Sequence, residues 1–364
     1  MLNSYLFRVF LIPSAVFLSV LFGGSYGTGR EIMEFVSKNG PLGGVLALGT
    51  VCLTYVVLLF LSFELARIFK QYEYRGFFKQ LLGPAWFLYE IVILLGMVIT
   101  LAVCTTGAGV ILESRFGYSH WIGSAGLLVL VFILNYQGRV IVEKTMILAV
   151  SALLILLVAL VFKLSGEAGE SIRTSFAQDT MNWGSWRGGV QYALVNAGFI
   201  PLLLYCARGI ESRGQAALAA TTAGAVAVVP GVVFHFAFMS AYPAITEEQL
   251  PAYWLMEHLT SPLFLDCYVL VLFVLIAQTG VGMLQGFLER VDAWHVQRFG
   301  TPLNHMGHGL VALGMSSASM VLSSIGIIAL IVLGYDFLAA SFILVFALPM
   351  LTRGVWLVWK SVNR

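Results

Sequence analysis

The stretch that decides the fold is FGGSYGTGRE, residues 22–31. It lies inside the mainly apolar segment 6–38, which as one continuous helix would measure about 50 Å, well beyond a hydrocarbon core of about 30 Å. Residues 23–29 include four glycines, and each glycine disfavours a helix by up to ~1 kcal/mol relative to alanine. We therefore predict two half-helices, 6–22 and 29–38, with an unwound segment between them.

Irregular backbone at membrane depth leaves amide and carbonyl groups unpaired, so such a segment must be buried in protein or line a cavity. Close helix–helix packing is the alternative use of a glycine cluster. Packing motifs avoid charges, however, and this one runs directly into Arg30, Glu31 and Glu34. The charges favour an open break over a packing motif.

The composition places this broken helix in a membrane. Of the 364 residues, 59% are hydrophobic and only 10% are charged, whereas ordinary soluble domains carry roughly 25% charged residues. A soluble fold of this length could not bury so much apolar surface, so the surplus must face lipid. The net charge of +2 gives no reason to expect nucleic-acid binding.

Ten stretches contain no Asp, Glu, Lys or Arg, and most approach the ~20 residues that cross a bilayer as a helix. We number them as helices 1 to 10: 9–29, 39–63, 91–112, 116–138, 145–162, 188–207, 214–246, 267–288, 309–335 and 337–352. Long Leu, Val and Ile runs without alternation favour helices over strands. The predicted fold class is an all-α, multi-pass integral membrane protein.

The basic residues predict the orientation. If the amino terminus is cytoplasmic, fourteen of the 20 Lys and Arg residues fall on the inner side. Because loops near the membrane that are rich in Lys and Arg stay in the cytoplasm, both termini are predicted to be cytoplasmic. The longest connections, 163–187 and 242–262, then lie on the opposite side, which we call the outer side.

Helix 6 contains a counterpart of the first break. The run NAGFIP at 196–201 combines a polar amide, a glycine and a proline, and proline removes an amide hydrogen and clashes with the preceding turn. We predict that the helix opens just before Pro201, with a simple proline kink as the alternative. The breaks fall near 26 and 198, an offset of 172, and helices 2 and 7 begin near 41 and 214, an offset of 173. This spacing predicts two five-helix repeats, 1–165 and 166–364, the second inverted relative to the first.

FGGSYGTGRE, together with YEYRGFFKQLLG at 72–83, resembles the YkvI-type bacterial membrane proteins, and the two breaks resemble the LeuT-type fold of the amino acid–polyamine–organocation transporter superfamily. The resemblance implies a 5+5 inverted repeat with helices 1 and 6 broken at the midplane, in a bacterial cytoplasmic membrane. It also implies secondary active transport. No nucleophile–base pair or paired aspartates occur within the spans, so we do not expect an enzyme.

In the LeuT-type fold the solute lies at the midplane between the breaks. Free amide groups at the start of the outer half of helix 1 would suit a carboxylate, and carbonyls freed near 196–198 would accept from an ammonium group. A zwitterion fits both ends, so an amino acid or a close analogue is the expected solute. The predicted substrate-binding residues are Gly24, Ser25, Tyr26, Gly27, Thr28, Gly29, Thr100, Cys104, Asn196, Gly198 and Phe199, with Tyr205 as a further pocket aromatic.

The resemblance also implies a coupling ion between the first break and helix 8. Na⁺ would lie near Gly23, Gln278 and Thr279, and Lys144 of helix 5 is the alternative for proton coupling. No other cofactor is expected. A metal-ion carrier would need a carboxylate in the first break, and residues 23–29 contain none.

Charges near membrane depth are costly and mark functional sites. Arg30, Glu31 and Asp336 are therefore predicted to form an outer gate, in which Arg30 pairs with Asp336 at the outer start of helix 10. Pairing of Arg30 with Glu31 or Glu34 is the alternative.

Two other functions stay open. A carrier of a quaternary amine or osmolyte would use Trp183 and Trp186 as part of a cation-binding box. A receptor or sensor would keep the transporter fold without transport. The expected partners in each case are a small-molecule solute and the lipid bilayer.

Overall fold

The computed structural model of the protein describes residues 7–21, 27–137, 151–162, 166 and 168–362. In these residues the regular structure is helical throughout, with no β-strand. Among the described residues, five helices are long and apolar enough to cross a membrane individually, and one bent pair of helices counts as a sixth span when taken together. The predicted all-α membrane fold is confirmed.

The helices follow the predicted order. In the first half, helix 1 is Ile12–Leu21 and Arg30–Phe35, helix 2 is Pro41–Phe69, helix 3 is Phe87–Phe116, helix 4 is His120–Gln137, and the described part of helix 5 is Ser151–Phe162. In the second half, helix 6 is Trp186–Ala197 and Ile200–Gly209, helix 7 is Arg213–Met239, helix 8 is Pro262–Phe299, helix 9 is His305–Ser323, and helix 10 begins with Ile327–Phe342.

Helix 10 continues through two π-helical turns, Ile343–Ala347 and Met350–Gly354, to Val355–Val362. Shorter helices lie at the two faces of the bundle. Tyr74–Leu82 joins helices 2 and 3 on the inner side, and Gly169–Gln178 and Pro251–Leu259 lie on the outer side.

Polar N-cap residues define the starts of three helices, whose positions the charge pattern gave only approximately. Ser212, Ser261 and Asn304 each accept a hydrogen bond from the backbone amide three residues later, at 3.3, 3.4 and 2.7 Å. Such caps satisfy amides that the first helical turn leaves unpaired. They place the starts of helices 7, 8 and 9.

The predicted boundary between helices 9 and 10 is wrong. The charge-free runs placed Asp336 between the two helices, but the chain turns at 324–326 instead, where Gly326 has φ 85°. Asp336 lies inside helix 10 and accepts a hydrogen bond from Gln191 of helix 6. A charged residue that has a polar partner can lie inside a helix. The prediction based on charge alone therefore placed the helix boundary wrongly.

Glycines bring the outer half of helix 6 against the backbone of its neighbours. A methyl group built on Gly189 would lie 2.3 Å from the carbonyl oxygen of Ala47 in helix 2. One built on Gly188 would lie 2.4 Å from the carbonyl oxygen of Phe35 in helix 1. Because any side chain would clash with backbone at both positions, only glycine permits this approach. Helices 1, 2 and 6 therefore meet directly on the outer side.

Candidate functional site

Of helix 1, the described residues show Ile12–Leu21 as helix, Gly27 and Thr28 as helical, an interruption at Gly29, and the outer half Arg30–Phe35. We call the interruption at Gly29 the first break. The predicted start of the outer half at residue 29 is confirmed to within one residue. The predicted site residues Gly23, Gly24, Ser25 and Tyr26 lie outside the described residues.

Gly29 sets the direction of the outer half of helix 1. Its φ of 73° is in the left-handed region that favours glycine. A methyl group there would lie 2.6 Å from the Phe238 ring of helix 7 and 3.0 Å from Cβ of Ala252 in the outer helix Pro251–Leu259. Thr28 Oγ1 accepts from the Arg30 amide at 3.3 Å and so caps the first turn. The outer half of helix 1 is thus clamped by helix 7 and the outer helix.

The break in helix 6 is confirmed. Residues 183–197 and Ile200–Gly209 meet at an angle of 68°, and the second part is a 3₁₀-helix that begins just before Pro201. A methyl group on Gly198 would lie 2.4 Å from the Phe342 ring of helix 10, so the bend is packed closely on helix 10. The change of helix type shows that this is more than a simple proline kink.

The carbonyl groups at this break are already engaged. Gly198 O accepts from the Tyr89 hydroxyl at 2.9 Å, and Asn196 O accepts from the Phe199 amide at 3.1 Å. The Asn196 side-chain amide donates back to Tyr192 O at 3.0 Å. The prediction that carbonyls stand free here is wrong for these two groups, because tyrosine and 3₁₀ hydrogen bonds take one acceptor position of each.

Helix 3 runs past both breaks. A methyl group on Gly107 would lie 3.7 Å from Thr28 Cγ2, and one on Gly96 would lie 3.6 Å from the Phe199 ring. Gly107 follows Gly96 by eleven positions, a rise of about 16 Å along the helix. Thr100 lies on the same helical face, one turn from Gly96 and two turns from Gly107. Thr100, a predicted site residue of helix 3, thus falls between the two breaks along the helix.

The other predicted pocket side chains differ in exposure. Cys104 is buried one turn beyond Thr100, and Phe199 is buried with its ring 6.2 Å from that of Phe342. Tyr205 is 52% exposed and lies beyond the bend, so the structure does not place it with the other pocket residues.

Helix 8 faces the first break. The Tyr268 hydroxyl donates to Gly27 O, and a methyl group on Gly27 would lie 2.5 Å from Leu272 Cδ1. Thr279 follows Tyr268 by eleven residues, three helical turns, and therefore shares this face; its Oγ1 donates to Leu275 O at 2.9 Å. The predicted ion ligand Thr279 thus lies on the face of helix 8 that contacts the first break.

Gln278 is buried, 8% exposed, and neither polar atom of its carboxamide has a hydrogen-bond partner among the described residues. A buried amide left unpaired is costly, and a bound ligand can supply the partner that the protein does not. Gln278 lies about 100° around the helix axis from Thr279. The predicted Gly23 and Lys144 lie outside the described residues.

On the outer side Arg30 ties helix 1 to the connection between helices 7 and 8. Its Nη1 donates to Thr246 O at 2.9 Å and to Glu248 O at 2.8 Å, and its Nη2 donates to Glu34 Oε2 at 2.6 Å. We call this set of contacts the outer clasp. Arg30 is only 4% exposed, so the outer clasp closes over the region above the first break.

Arg30 and Asp336, which were expected to pair, are both described by the structure and form no ion pair with each other. Asp336 lies within helix 10 and pairs with Gln191, while Arg30 pairs with Glu34, as the alternative prediction had it. Glu31 accepts from the Tyr335 hydroxyl of helix 10. The three predicted gate residues therefore make separate contacts: Arg30 with the outer connection, Glu31 with helix 10, and Asp336 with helix 6.

An acidic cavity of ≈490 Å³ adjoins the outer clasp. Its charged and aromatic lining residues are Glu113, Glu247, Glu248, Glu257, Tyr253 and Trp254. Burial raises the pKa of the Tyr253 phenol above its ordinary value, and the neighbouring Glu257 carboxylate raises it further. Tyr253 is therefore a neutral donor to Glu257, at 3.4 Å. The cavity concentrates negative charge on the outer side of the clasp.

Four aromatic residues at the site were absent from the sequence prediction: Tyr89, Tyr268, Tyr335 and Phe342. The three tyrosines lie in largely apolar helices, and a buried phenol there needs a hydrogen-bond partner. This requirement for a partner is the signal by which the sequence could have pointed to the three tyrosines. The partner atoms belong to helices far away in sequence and could not be assigned from it.

Comparison with known proteins gives the fold a name. No protein-family model matches the chain. The uncharacterized protein YyaD of Bacillus subtilis (strain 168) is 22% identical over 291 residues, covering 78% of this chain and 81% of YyaD. The solved structure of MhsT in complex with L-phenylalanine covers 93% of this chain and 86% of MhsT, at 17% identity and a TM-score of 0.59.

A manganese transporter of Eremococcus coleocola, in complex with an aromatic bis-isothiourea substituted compound, matches at 12% identity and a TM-score of 0.50. The match covers 93% of this chain and 76% of the transporter. At these identities the similarity establishes the fold alone, and the closer relationship to YkvI-type proteins stays a prediction. The chain has the LeuT-type fold, with the first and sixth helices broken.

Proposed function

We propose that this protein is a secondary active transporter that carries a small zwitterionic solute, an amino acid or a close analogue, by alternating access. The observation on which the proposal depends is the pair of breaks in helices 1 and 6, with a face of helix 3 running between them. Broken helices of this kind form the solute site in inverted-repeat transporters. MhsT, which shares the fold, was solved in complex with L-phenylalanine.

The chemistry of the two breaks supports a zwitterion. At the first break, the amino-terminal end of the outer half-helix near Gly27 and Thr28 favours a carboxylate through its amides and its dipole. At the second break, the carbonyl oxygen of Gly198 accepts one hydrogen bond and keeps a second lone pair for an ammonium group. Thr100 lies between them on helix 3. Opposite partial charges thus face the two ends of one small molecule.

We propose Na⁺ as the coupling ion. Thr279 lies on the face of helix 8 that contacts the first break, and the neighbouring Gln278 has a buried carboxamide with no partner among the described residues. Hydroxyl and carbonyl oxygens are suitable ligands for a hard cation. The acidic outer cavity would raise the local concentration of cations before they enter.

The first test is a thermal-stability screen of the purified protein in detergent. Amino acids, betaine and choline are compared, each in NaCl and in KCl. A solute at a hundred times its Kd stabilises by about 2.7 kcal/mol, so stabilisation by amino acids in NaCl is expected. If betaine or choline stabilises and amino acids do not, the carrier of a quaternary amine replaces this proposal.

Thr279→Ala tests the coupling ion. The variant should keep its fold but lose the difference between NaCl and KCl, because one Na⁺ ligand is missing. Thr54→Ala is the matched control, since Thr54 makes the same hydrogen bond to the carbonyl four residues earlier, in helix 2. A sodium effect that survives in Thr279→Ala would rule out this site.

Uptake into proteoliposomes then tests transport itself. Accumulation of the stabilising amino acid should require an inward sodium gradient. Accumulation that follows a pH gradient without sodium would show proton coupling instead. Binding without uptake under either gradient would favour a receptor that kept the transporter fold.

A further inference from the structure

Two buried tyrosines reach the two helix breaks, each from the opposite half of the chain. Tyr89, near the inner start of helix 3, donates its hydroxyl to Gly198 O in helix 6 at 2.9 Å. Tyr268, near the outer start of helix 8, donates to Gly27 O in helix 1. Both tyrosine side chains are fully buried. Helices 3 and 8 hold the third place in their halves and helices 1 and 6 the first, so the two contacts are counterparts.

The contact at helix 6 replaces a hydrogen bond that the backbone does not make. In a 3₁₀ turn the carbonyl of Gly198 would accept from the amide of residue 201, three positions later. That residue is Pro201, which has no amide hydrogen. The next amide, of Leu202, donates to Phe199 O at 3.0 Å. The Tyr89 hydroxyl supplies the donor that Pro201 lacks.

Tyr89 is held in place from the inner side. Its ring stacks on Phe78 of the inner helix Tyr74–Leu82, with centroids 4.0 Å apart and planes 22° from parallel. The Phe342 ring of helix 10 lies 6.4 Å away on another side. With its ring fixed between these neighbours and its hydroxyl removed from water, Tyr89 can direct a hydrogen bond at one backbone atom.

The contact at helix 1 has a similar setting. Leu272, one turn after Tyr268, fills the space beside Gly27, so helix 8 packs directly against the break. The hydroxyl of Tyr268 fixes the carbonyl oxygen of Gly27, and therefore the orientation of the peptide group next to Thr28. That orientation decides where the neighbouring amide groups point.

We propose that Tyr89 and Tyr268 are reciprocal positioning residues: each half of the chain uses a tyrosine of its third helix to hold open the broken first helix of the other half. Neither hydroxyl has to touch the solute. Their effect on solute binding rests on the proposed function, whereas their effect on the breaks does not.

The decisive experiment is a double-mutant cycle on thermal stability without solute. Tyr89→Phe keeps the ring and leaves Gly198 O without a donor, and should lower Tm by about 2–4 °C. In Pro201→Ala the new amide at residue 201 can donate to Gly198 O, so Tyr89→Phe should cost less than half as much in that background. Equal losses in the two backgrounds would overturn the proposal for helix 6.

A control variant and the yield of folded protein complete this double-mutant cycle. Tyr118→Phe removes a hydroxyl from a tyrosine that is 58% exposed just after helix 3, and should leave Tm unchanged. If Tyr89→Phe fails to accumulate as folded protein, adding Pro201→Ala should restore the yield. No restoration would also overturn the proposal, because a packing defect would persist in both backgrounds.

A second measurement addresses positioning. In titrations of the stabilising amino acid, Tyr89→Phe and Tyr268→Phe should each raise Kd by about five- to tenfold, the equivalent of roughly one hydrogen bond, while Tyr118→Phe should not. Unchanged Kd in both variants would overturn a positioning role. Because the Tm cycle needs no solute, a protein that binds no amino acid would refute the proposed function and leave the cycle to decide on the tyrosines.

Discussion

Replacing Arg30 by Met should open the outer side of the protein. Methionine keeps an unbranched apolar stem of similar length but cannot donate to Thr246 O, Glu248 O or Glu34. Hydrogen bonds from a charged group contribute about 1.5–3 kcal/mol each. The two bonds to the outer connection at 2.8 and 2.9 Å therefore favour the closed arrangement by at least ~3 kcal/mol, which is roughly a hundredfold in the equilibrium between closed and open states.

The assay is cysteine labelling at the face of helix 3 between the breaks. Thr100→Cys is introduced after the four native cysteines, Cys52, Cys104, Cys206 and Cys267, have been replaced by alanine, and a water-soluble maleimide is added to the purified protein. The labelling rate should rise up to about a hundredfold when Arg30→Met is present, because opening of the outer side gives the reagent a path to residue 100, which is half-buried in the closed arrangement.

Arg187→Met is the matched control for this prediction. Arg187 is also on the outer side, but it is exposed and lies over the Trp186 ring, so its loss should not change the labelling rate. A rate in Arg30→Met within about twofold of the parent, or an equal rise in Arg187→Met, would refute the argument that the outer clasp holds the protein closed.

Two further substitutions test contacts of helix 10. Gly198→Ala places a methyl group 2.4 Å from the Phe342 ring and should cost about 1–3 kcal/mol of stability in thermal unfolding. The added change Phe342→Leu should recover part of this loss. An unchanged Tm in Gly198→Ala would contradict the close packing at the bend. Tyr335→Phe removes a hydrogen-bond donor from the buried Glu31 carboxylate and should lower the free energy of unfolding by about 1.5–3 kcal/mol. This loss should be smaller when Glu31→Gln is also present, because a neutral amide needs the donor less. Equal losses with and without the Glu31→Gln change would contradict the hydrogen bond.

The parts of the fold that depend on local chemistry could be predicted from the sequence. Helices 2 and 7 were expected near residues 41 and 214, and they begin at Pro41 and Arg213. The bend of helix 6 follows from Gly198 and Pro201, because both act on the backbone at their own position. Glycine, proline and charge-free length are properties of single residues or short runs.

The parts that depend on distant partners could not be predicted. Asp336 ends a charge-free run, yet Gln191, 145 positions away, lets it lie inside a helix. The carbonyl groups near residues 196–198 were expected to be free because the helix opens just before Pro201, but Gly198 O accepts from Tyr89, 109 positions away. A pattern shows that a buried tyrosine needs an acceptor, but the fold decides which one.

The glycine contacts of helix 6 limit how the molecule can move. At Gly188 and Gly189 no side chains separate the outer half of helix 6 from the backbones of helices 1 and 2, so there are no rotamers to adjust if these helices slide. They must travel as one rigid unit. Helices 3, 8 and 10 meet these segments through side chains instead, such as Leu272 against Gly27 and Phe342 against Gly198, and side chains can change rotamer when helices move. A hinge between those two groups would let the outer entrance widen while the three joined segments keep their register.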